Sequence, residues 1–172
     1  MKTKTLELKK AKKDQLNEIM DVYLRSKKNL DDKGMLQWDE GYPNREYFKE
    51  QIGCGDLYCL YTDGEFSGAV TLNTRQSPEW GGIPWEYDGE LVVHALFLDP
   101  LKQGKGLGTR FLEKCEEYAV DHGYRSIRLD AYARNEGANS LYVKLGYTYR
   151  GSVHFTSKPE GHQEYRCYEK AL

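Results

Sequence analysis

Residues 91–109, LVVHALFLDPLKQGKGLGT, bring a titratable strand and an anion-binding turn into one stretch. The run begins apolar and β-branched, long enough for a buried strand, and Asp99-Pro100 ends it. His94 within the run and Glu90 just before it could each accept a proton. Next come Gln103, Gly104, Lys105, Gly106, Leu107 and Gly108, which lead directly into a helical pattern. A strand, a glycine turn and a helix N-terminus aim free backbone N–H groups and the positive end of the helix dipole at one point. Glycine lets an anion approach that backbone closely. The spacing excludes two nucleotide motifs. No Lys-Ser or Lys-Thr pair follows the glycines, and glycines at 104, 106 and 108 do not make GxGxxG.

A second constellation lies some 30 residues on: NEGANSLYVKLG at 135–146, followed by Tyr147. Together the two stretches resemble the GCN5-related N-acetyltransferase (GNAT) family, whose pyrophosphate loop reads Q/R-x-x-G-x-G/A. Its later signature reads N-x-x-A-x-x-L-Y-x-K-x-G-F/Y. Trp38-Asp39-x-x-Tyr42-Pro43 and Leu57-Tyr58 look like the N-terminal half of one GNAT subgroup, so the resemblance spans most of the chain. It implies an acetyl-CoA-dependent N-acetyltransferase that lets an amine attack the thioester directly in a ternary complex. The alternative is an acyl-CoA-binding regulatory module without turnover.

The resemblance also implies roles. The amides of Gly104, Lys105, Gly106, Leu107, Gly108 and Thr109, with Gln103 alongside, would hold the pyrophosphate. Backbone groups of Leu96, Phe97 and Leu98 on a splayed strand would pair with pantetheine, the Leu96 amide facing the thioester oxygen. Tyr142 would return a proton to the CoA sulfur, or else simply pack on its helix. Asn135 would bind pantetheine or water, cap a helix, or both. Asn139 and Lys144 are further cofactor contacts, with a solvated Lys144 equally open.

The base is less defined. A free alkylamine has a pKa of about 10 and must lose a proton before attacking. Some family members carry a Glu four residues before the oxyanion amide, where this chain has Val92. Period two places Glu90 and His94 on the same face as Leu96. His94, with an unperturbed pKa of about 6.5, suits proton removal near neutrality, and a structural His or a water chain are the alternatives. Trp38, Tyr42 and Trp85, with Trp80 and Tyr87, could line an acceptor pocket in which Asp39 or Glu40 attracts a cationic amine. The same residues could be hydrophobic plugs or a homodimer surface.

The elements that must position these groups read as β-α-α-β-β-β-α-β-α-β-β. That order gives one α/β (α+β type) domain over 1–172, a mixed, mostly antiparallel sheet of about seven strands with helices on both faces. A strand is expected within 3–9. A helix from Asp14, which caps it, would show Leu16, Ile19, Met20, Tyr23 and Leu24 on one face. A loop or broken helix follows from 27 to 44. Asn44 would cap a short helix stopped by Gly53, and Asp63-Gly64 would close a hairpin between 57–61 and 66–73. Leu107, Phe111, Cys115 and Ala119 mark a helix ending at Gly123, and 126–131 alternates as a strand. Asn135 caps the helix carrying Tyr142, with Gly146 just past its end, and 147–155 and 164–168 form a last hairpin.

Composition sets the outer bounds. With 172 residues, 30% charged and 39% hydrophobic, the chain can bury a core. A formal net charge of −2 argues against bulk nucleic-acid binding, and the lysines at 2, 4, 9, 10, 12 and 13 read as a solvated flank. No 18-residue apolar run suggests a membrane span, and the N-terminus has no apolar signal core. Cys54, Cys59, Cys115 and Cys167 fit no zinc spacing, so no metal is expected and a reducing cytoplasm is.

Overall fold

Alternating apolar residues and one tight turn start the sheet. In a computed structural model, which describes residues 5–172 other than 103 and 105, β1 (Leu6–Lys10) pairs antiparallel with β2 (Leu57–Thr62). β2 returns as β3 (Glu65–Asn73) through Asp63 and Gly64, at φ 51° and 83°. Two consecutive positive φ values give the turn a twist that matches its strands, which is why Asp-Gly is favoured there. β4 (Glu90–Leu98) lies antiparallel to β3 and parallel to β5 (Ser126–Tyr132). β7 (Glu164–Ala171) inserts between β5 and β6 (Thr148–His154), giving the order β1-β2-β3-β4-β5-β7-β6. The seven strands and both-sided helices match the expected architecture.

Two helices cover each face. Ile19, Val22 and Tyr23 of α1 (Leu16–Asp32) pack with Phe48 and Ile52 of α2 (Arg45–Cys54) over Leu57, Ala69 and Phe97. On the opposite face Phe111, Leu112, Cys115 and Ala119 of α3 (Leu107–Asp121) meet Leu91, Val93, Ile127 and Leu129, flanked by α4 (Glu136–Lys144). A third cluster joins Trp80, Val92, Tyr132, Tyr165 and Cys167.

Several boundaries differ from the sequence reading. Residues 27–32, expected in a loop or broken helix, continue α1 without a break, held by Lys27–Asp31 and Lys28–Asp32 pairs one turn apart at 2.6 and 2.8 Å. Asp14 is not a cap: it sits in a short 3-10 turn, and the Gln15 side chain accepts from the Lys12 amide at 2.8 Å. Leu24 faces solvent, and Ser26 continues the buried stripe instead. α2 begins at Asn44, whose side chain accepts from Tyr47 N, but ends at left-handed Gly55 rather than at Gly53.

The feature that shapes the molecule's centre is the end of the β4–β5 pair. Pairing runs only through Glu90–Ser126, Leu91–Ile127 and Val92–Arg128. Beyond Val92 the two strands part, leaving the β5-facing edge of residues 93–98 without a ladder. The cause lies on the other edge of β4. There a bulge interrupts the register with β3 between Ala69 and Thr71, and Ala95 takes φ 48°. An extra residue bends the strand that contains it and turns it away from its neighbour. Gly68 permits the approach this requires, since a Cβ there would lie 2.3 Å from the Phe97 carbonyl oxygen.

Candidate active site

The gap between β4 and β5 opens into a pocket of about 270 Å³. His94, Ala95 and Leu96 line one side, Leu129 to Tyr132 the other, and Asn135, Ala138 and Tyr142 of α4 close one end. Trp38, Tyr42, Trp80, Phe155 and Lys158 come in from loops. Among the described residues, Gly104, Gly106 to Thr109, Phe97, Leu98, Lys144, Trp85 and Glu90 are not among its walls.

Tyr142 is carried by a helix whose start is set by Asn135, which accepts from Ala138 N at 3.0 Å. The Tyr142 ring packs between Tyr147 and Tyr168, with centroids 5.8 and 5.7 Å away. Burial, and then the negative field of Asp130, raise its pKa above the usual phenol value. The group is therefore a neutral O–H donor at physiological pH. The Asn135 amide also donates to Gln37 Oε1 at 3.2 Å, so the cap is certain and both ends of the side chain have protein partners. Asn139 differs from expectation. Its side chain is buried, donates to the Tyr132 and Asn135 carbonyls at 3.0 and 2.8 Å, and accepts from Tyr168 OH at 2.7 Å. It ties α4 to β5 and β7 and is not presented to a ligand. Lys144 is exposed at the end of α4.

The shared face expected for the two candidate bases is corrected. The bulge at Ala95 resets the alternation, so Leu96 joins Leu91 and Val93 on the α3 side, whereas Val92 faces the third cluster. Glu90 and His94 therefore do not share Leu96's face. Glu90 accepts from Gln76 Nε2 at 2.8 Å, lies 3.5 Å from Arg128, and is outside the pocket. His94 does reach the wall, but its Nε2 is 2.7 Å from Asn73 Oδ1. Burial lowers its pKa to about 4, against weaker raising contributions from the Arg75 backbone and Asp56. Such a ring is neutral at pH 7 and is a weak proton acceptor.

The carboxylate that does reach the pocket was missed. Asp130 lies on β5, on the face opposite Ile127, Leu129 and Ala131. Trp80 Nε1 donates to its Oδ2 at 3.0 Å. Burial raises its pKa to about 6, opposed by the Trp80 hydrogen bond and by Lys158. The available signal was slight, because Ser126, Arg128 and Asp130 alternate with Ile127, Leu129 and Ala131 in SIRLDAY and the acid sits where a half-buried strand puts its polar residues. Once buried, an acid needs a partner or a task.

Of the aromatic candidates, Trp38 and Tyr42 line the pocket and Trp85 does not. The Trp85 ring backs Trp80 at 5.1 Å, its indole donates to the Trp80 carbonyl at 3.3 Å, and the Arg128 guanidinium sits 4.5 Å above it. Trp85 thus supports the wall that Trp80 presents.

Gly104 and Gly106 adopt φ 99° and 74°, and α3 starts at Leu107. Leu107 N is directed back to the Gly104 carbonyl at 3.2 Å. This closes the turn and engages the Leu107 amide within it. Gly106, Gly108 and Thr109 remain at the helix start, where backbone amides lack intrahelical partners. Gln103 and Lys105 lie outside the described residues. Among the described residues no group of three His, Cys, Asp or Glu could hold a metal ion, and no helix is long and apolar enough to cross a membrane.

The model of the Acetyltransferase (GNAT) family matches residues 16–147. An uncharacterized N-acetyltransferase of Methanocaldococcus jannaschii is 26% identical over 147 residues, which is 84% of this chain and 61% of that protein. The chain thus spans less than two thirds of that relative's length. Among solved structures, a GNAT-family acetyltransferase from Streptococcus agalactiae superposes with a TM-score of 0.83 at 21% identity, covering 97% of this chain and 95% of that one. PaiA N-acetyltransferase from Thermoplasma acidophilum, solved with coenzyme A, gives a TM-score of 0.71 at 17% identity, covering 98% and 99%. The splayed β4–β5 pair, the glycine turn opening α3 and the signature helix α4 thus occur in a chain that belongs to the GNAT acetyltransferase family.

Proposed function

We propose that this protein is an acetyl-CoA-dependent N-acetyltransferase that acts by direct attack of a primary amine on the thioester in a ternary complex. The observation that carries this reading is the open edge of β4 beside Tyr142. Parted strands with unpaired main-chain groups fit pantetheine, which can complete the ladder that β5 abandons. The glycine turn and α3 N-terminus fit the pyrophosphate through Gly104, Gly106, Gly108 and Thr109. The CoA complex of PaiA is consistent with the same use of the fold.

When bound, acetyl-CoA supplies the activated acetyl group and a thiolate leaving group. The protein's own residues do the rest. The Leu96 main chain on the bent edge is placed to polarise the carbonyl oxygen, a contribution of about 3 kcal/mol in other oxyanion sites. Tyr142 holds a proton that is returned to sulfur. The walls exclude water from the amine. No cysteine is offered as a nucleophile: Cys59, Cys115 and Cys167 are buried, burial raises all three thiols, and exposed Cys54 is not among the pocket's walls. We place the protein in the cytoplasm, where thiols stay reduced.

The position of Glu90 outside the pocket's walls and the lowered pKa of His94 favour one rival, an acyl-CoA-binding module without turnover. Release of CoA thiol from acetyl-CoA across a panel of amines separates the two. The transferase reading predicts acceptor-dependent release that falls at least about tenfold in Tyr142→Phe. Tight acetyl-CoA binding with no acceptor-dependent release establishes the rival. Release untouched by Tyr142→Phe removes Tyr142 as the acid.

A further inference from the structure

The pocket holds a carboxylate with one hydrogen bond and space on its other side. Trp80 Nε1 fixes Asp130 Oδ2 at 3.0 Å, and Oδ1 has no hydrogen-bond partner among the described residues. The groups around it come from every neighbouring element. Lys158 reaches in from the β6–β7 loop, Tyr142 from α4, Tyr165 and Cys167 from β7, and Tyr42 from the loop before α2. His94 stands on β4 across the gap and is neutral.

Among these groups Lys158 supplies the positive charge, and it is already engaged. Its ammonium is 3.8 Å from Asp39, donates to the Tyr42 carbonyl at 3.2 Å and lies 5.2 Å from the Tyr42 ring centroid. Its side chain is only 8% exposed, so it is not free to swing out toward an incoming anion. Asp39, which is not among the pocket's walls, pairs with that ammonium, so the Asp130 carboxylate has no cation of its own among the described residues. Trp38 and Trp80 are among the aromatic residues that line the pocket.

We propose that Asp130 is both the binding site for the acceptor's ammonium and the group that takes its proton, and that the acceptor is a small monocationic amine with an apolar body and no carboxylate of its own. This rests on the acetyltransferase reading. A positive nitrogen gains from the carboxylate and the aromatic walls together. A carboxylate next to that nitrogen would be buried against Asp130 with no unengaged cation among the described pocket residues to meet it.

The protons balance. Asp130 takes one from the bound R–NH3+, leaving R–NH2 and a carboxylic acid, and the acid passes that proton to solvent. The amine nitrogen bonds to the acetyl carbon, the C–S bond breaks, and the thiolate takes the Tyr142 proton. The second proton lost by the nitrogen restores the Tyr142 phenol. The net change is amide, thiol and one proton released.

The test is kcat/KM against pH in a thiol-release assay, with 2-phenylethylamine and its α-carboxylate counterpart phenylalanine as probes. Wild type should prefer the amine by about 100-fold or more and show an acid limb near pH 6. Asp130→Asn should lose about 100-fold on the amine and lose that limb, while melting no lower than wild type and binding acetyl-CoA with unchanged affinity. Trp80→Phe removes a hydrogen bond that favours the carboxylate, so its acid limb should move to higher pH. Equal use of phenylalanine overturns the acceptor class. An unchanged limb in Asp130→Asn overturns the proton acceptor. Either result leaves the transferase reading intact, whereas wild type that binds acetyl-CoA but acetylates no amine overturns both.

Discussion

Asp130 shows what it costs to keep a carboxylate in a pocket of aromatic rings. Burial dominates the one indole donor and the nearby Lys158, so the folded value rises from 3.8 to about 6. The protonated form is thus the one the fold prefers. This contribution to stability is complete below the unfolded value and disappears as pH rises through about 6. Above that, the fold carries an incompletely compensated charge. Asp130→Asn, which keeps an acceptor for Trp80, should therefore be more stable than the parent at pH 8 by roughly 1–3 kcal/mol. The gain should vanish by about pH 4, measured by urea denaturation across pH. A variant that is less stable at pH 8 would mean the charge is well satisfied. At this scale Tyr142 and Asn135 were legible because the signature N-x-x-A-x-x-L-Y fixes their spacing on one helix. Asp130 was not, because its task depends on where the loops carrying Trp80 and Lys158 come down, and strand periodicity holds no trace of that.

The element that gives the site its shape is β4, and its decisive residue is Ala95. A non-glycine residue at φ 48° costs about 1–2 kcal/mol in local strain. The strain is retained because the bulge bends β4 away from β5. Ala95→Val puts a β-branched side chain into this left-handed conformation. It should lower the melting temperature by about 3–8 °C and weaken acetyl-CoA binding, whereas Ala95→Gly should do neither. Equal melting of the valine and glycine variants would show that the bulge is unstrained. The bulge also explains the largest misreading. LVVHALFL looks like one uninterrupted strand, and period two applied through it puts His94 and Leu96 together. One extra residue at the bend inverts every side chain after it, and an alanine gives no sign of that. The hairpin at Asp63-Gly64 and the cap at Asn44 were read correctly because each is a local rule carried by its own residues. The α1 boundary was misread because polar Ser26 interrupts the apolar stripe before Leu30 resumes it, and side-chain pairs hold the turns between.

Across the whole molecule, the final strand and the loop before β4 are joined through one buried acid. Glu169, fully buried on β7, accepts from Arg150 Nε at 2.7 Å and from the Glu86 and Tyr87 amides at 2.7 and 3.2 Å. Arg128 is 4.0 Å from it and stacks on Trp85, which backs Trp80, which in turn holds Asp130. The pocket wall thus depends on β7 through a chain of contacts. Glu169→Ala leaves two guanidinium groups and two amides without that partner and should cost about 3–5 kcal/mol, near 10 °C in a thermal melt. A loss below about 2 °C would mean the network carries little. The central claim concerns the opening beside this wall, and a crystal structure of the acetyl-CoA complex tests it most directly. The account predicts pantetheine lying along β4 in the gap that β5 leaves, pyrophosphate at Gly106, Gly108 and Thr109, and the thioester sulfur within hydrogen-bonding reach of Tyr142 Oη. Acetyl-CoA bound elsewhere, or sulfur beyond the reach of Tyr142, would contradict it.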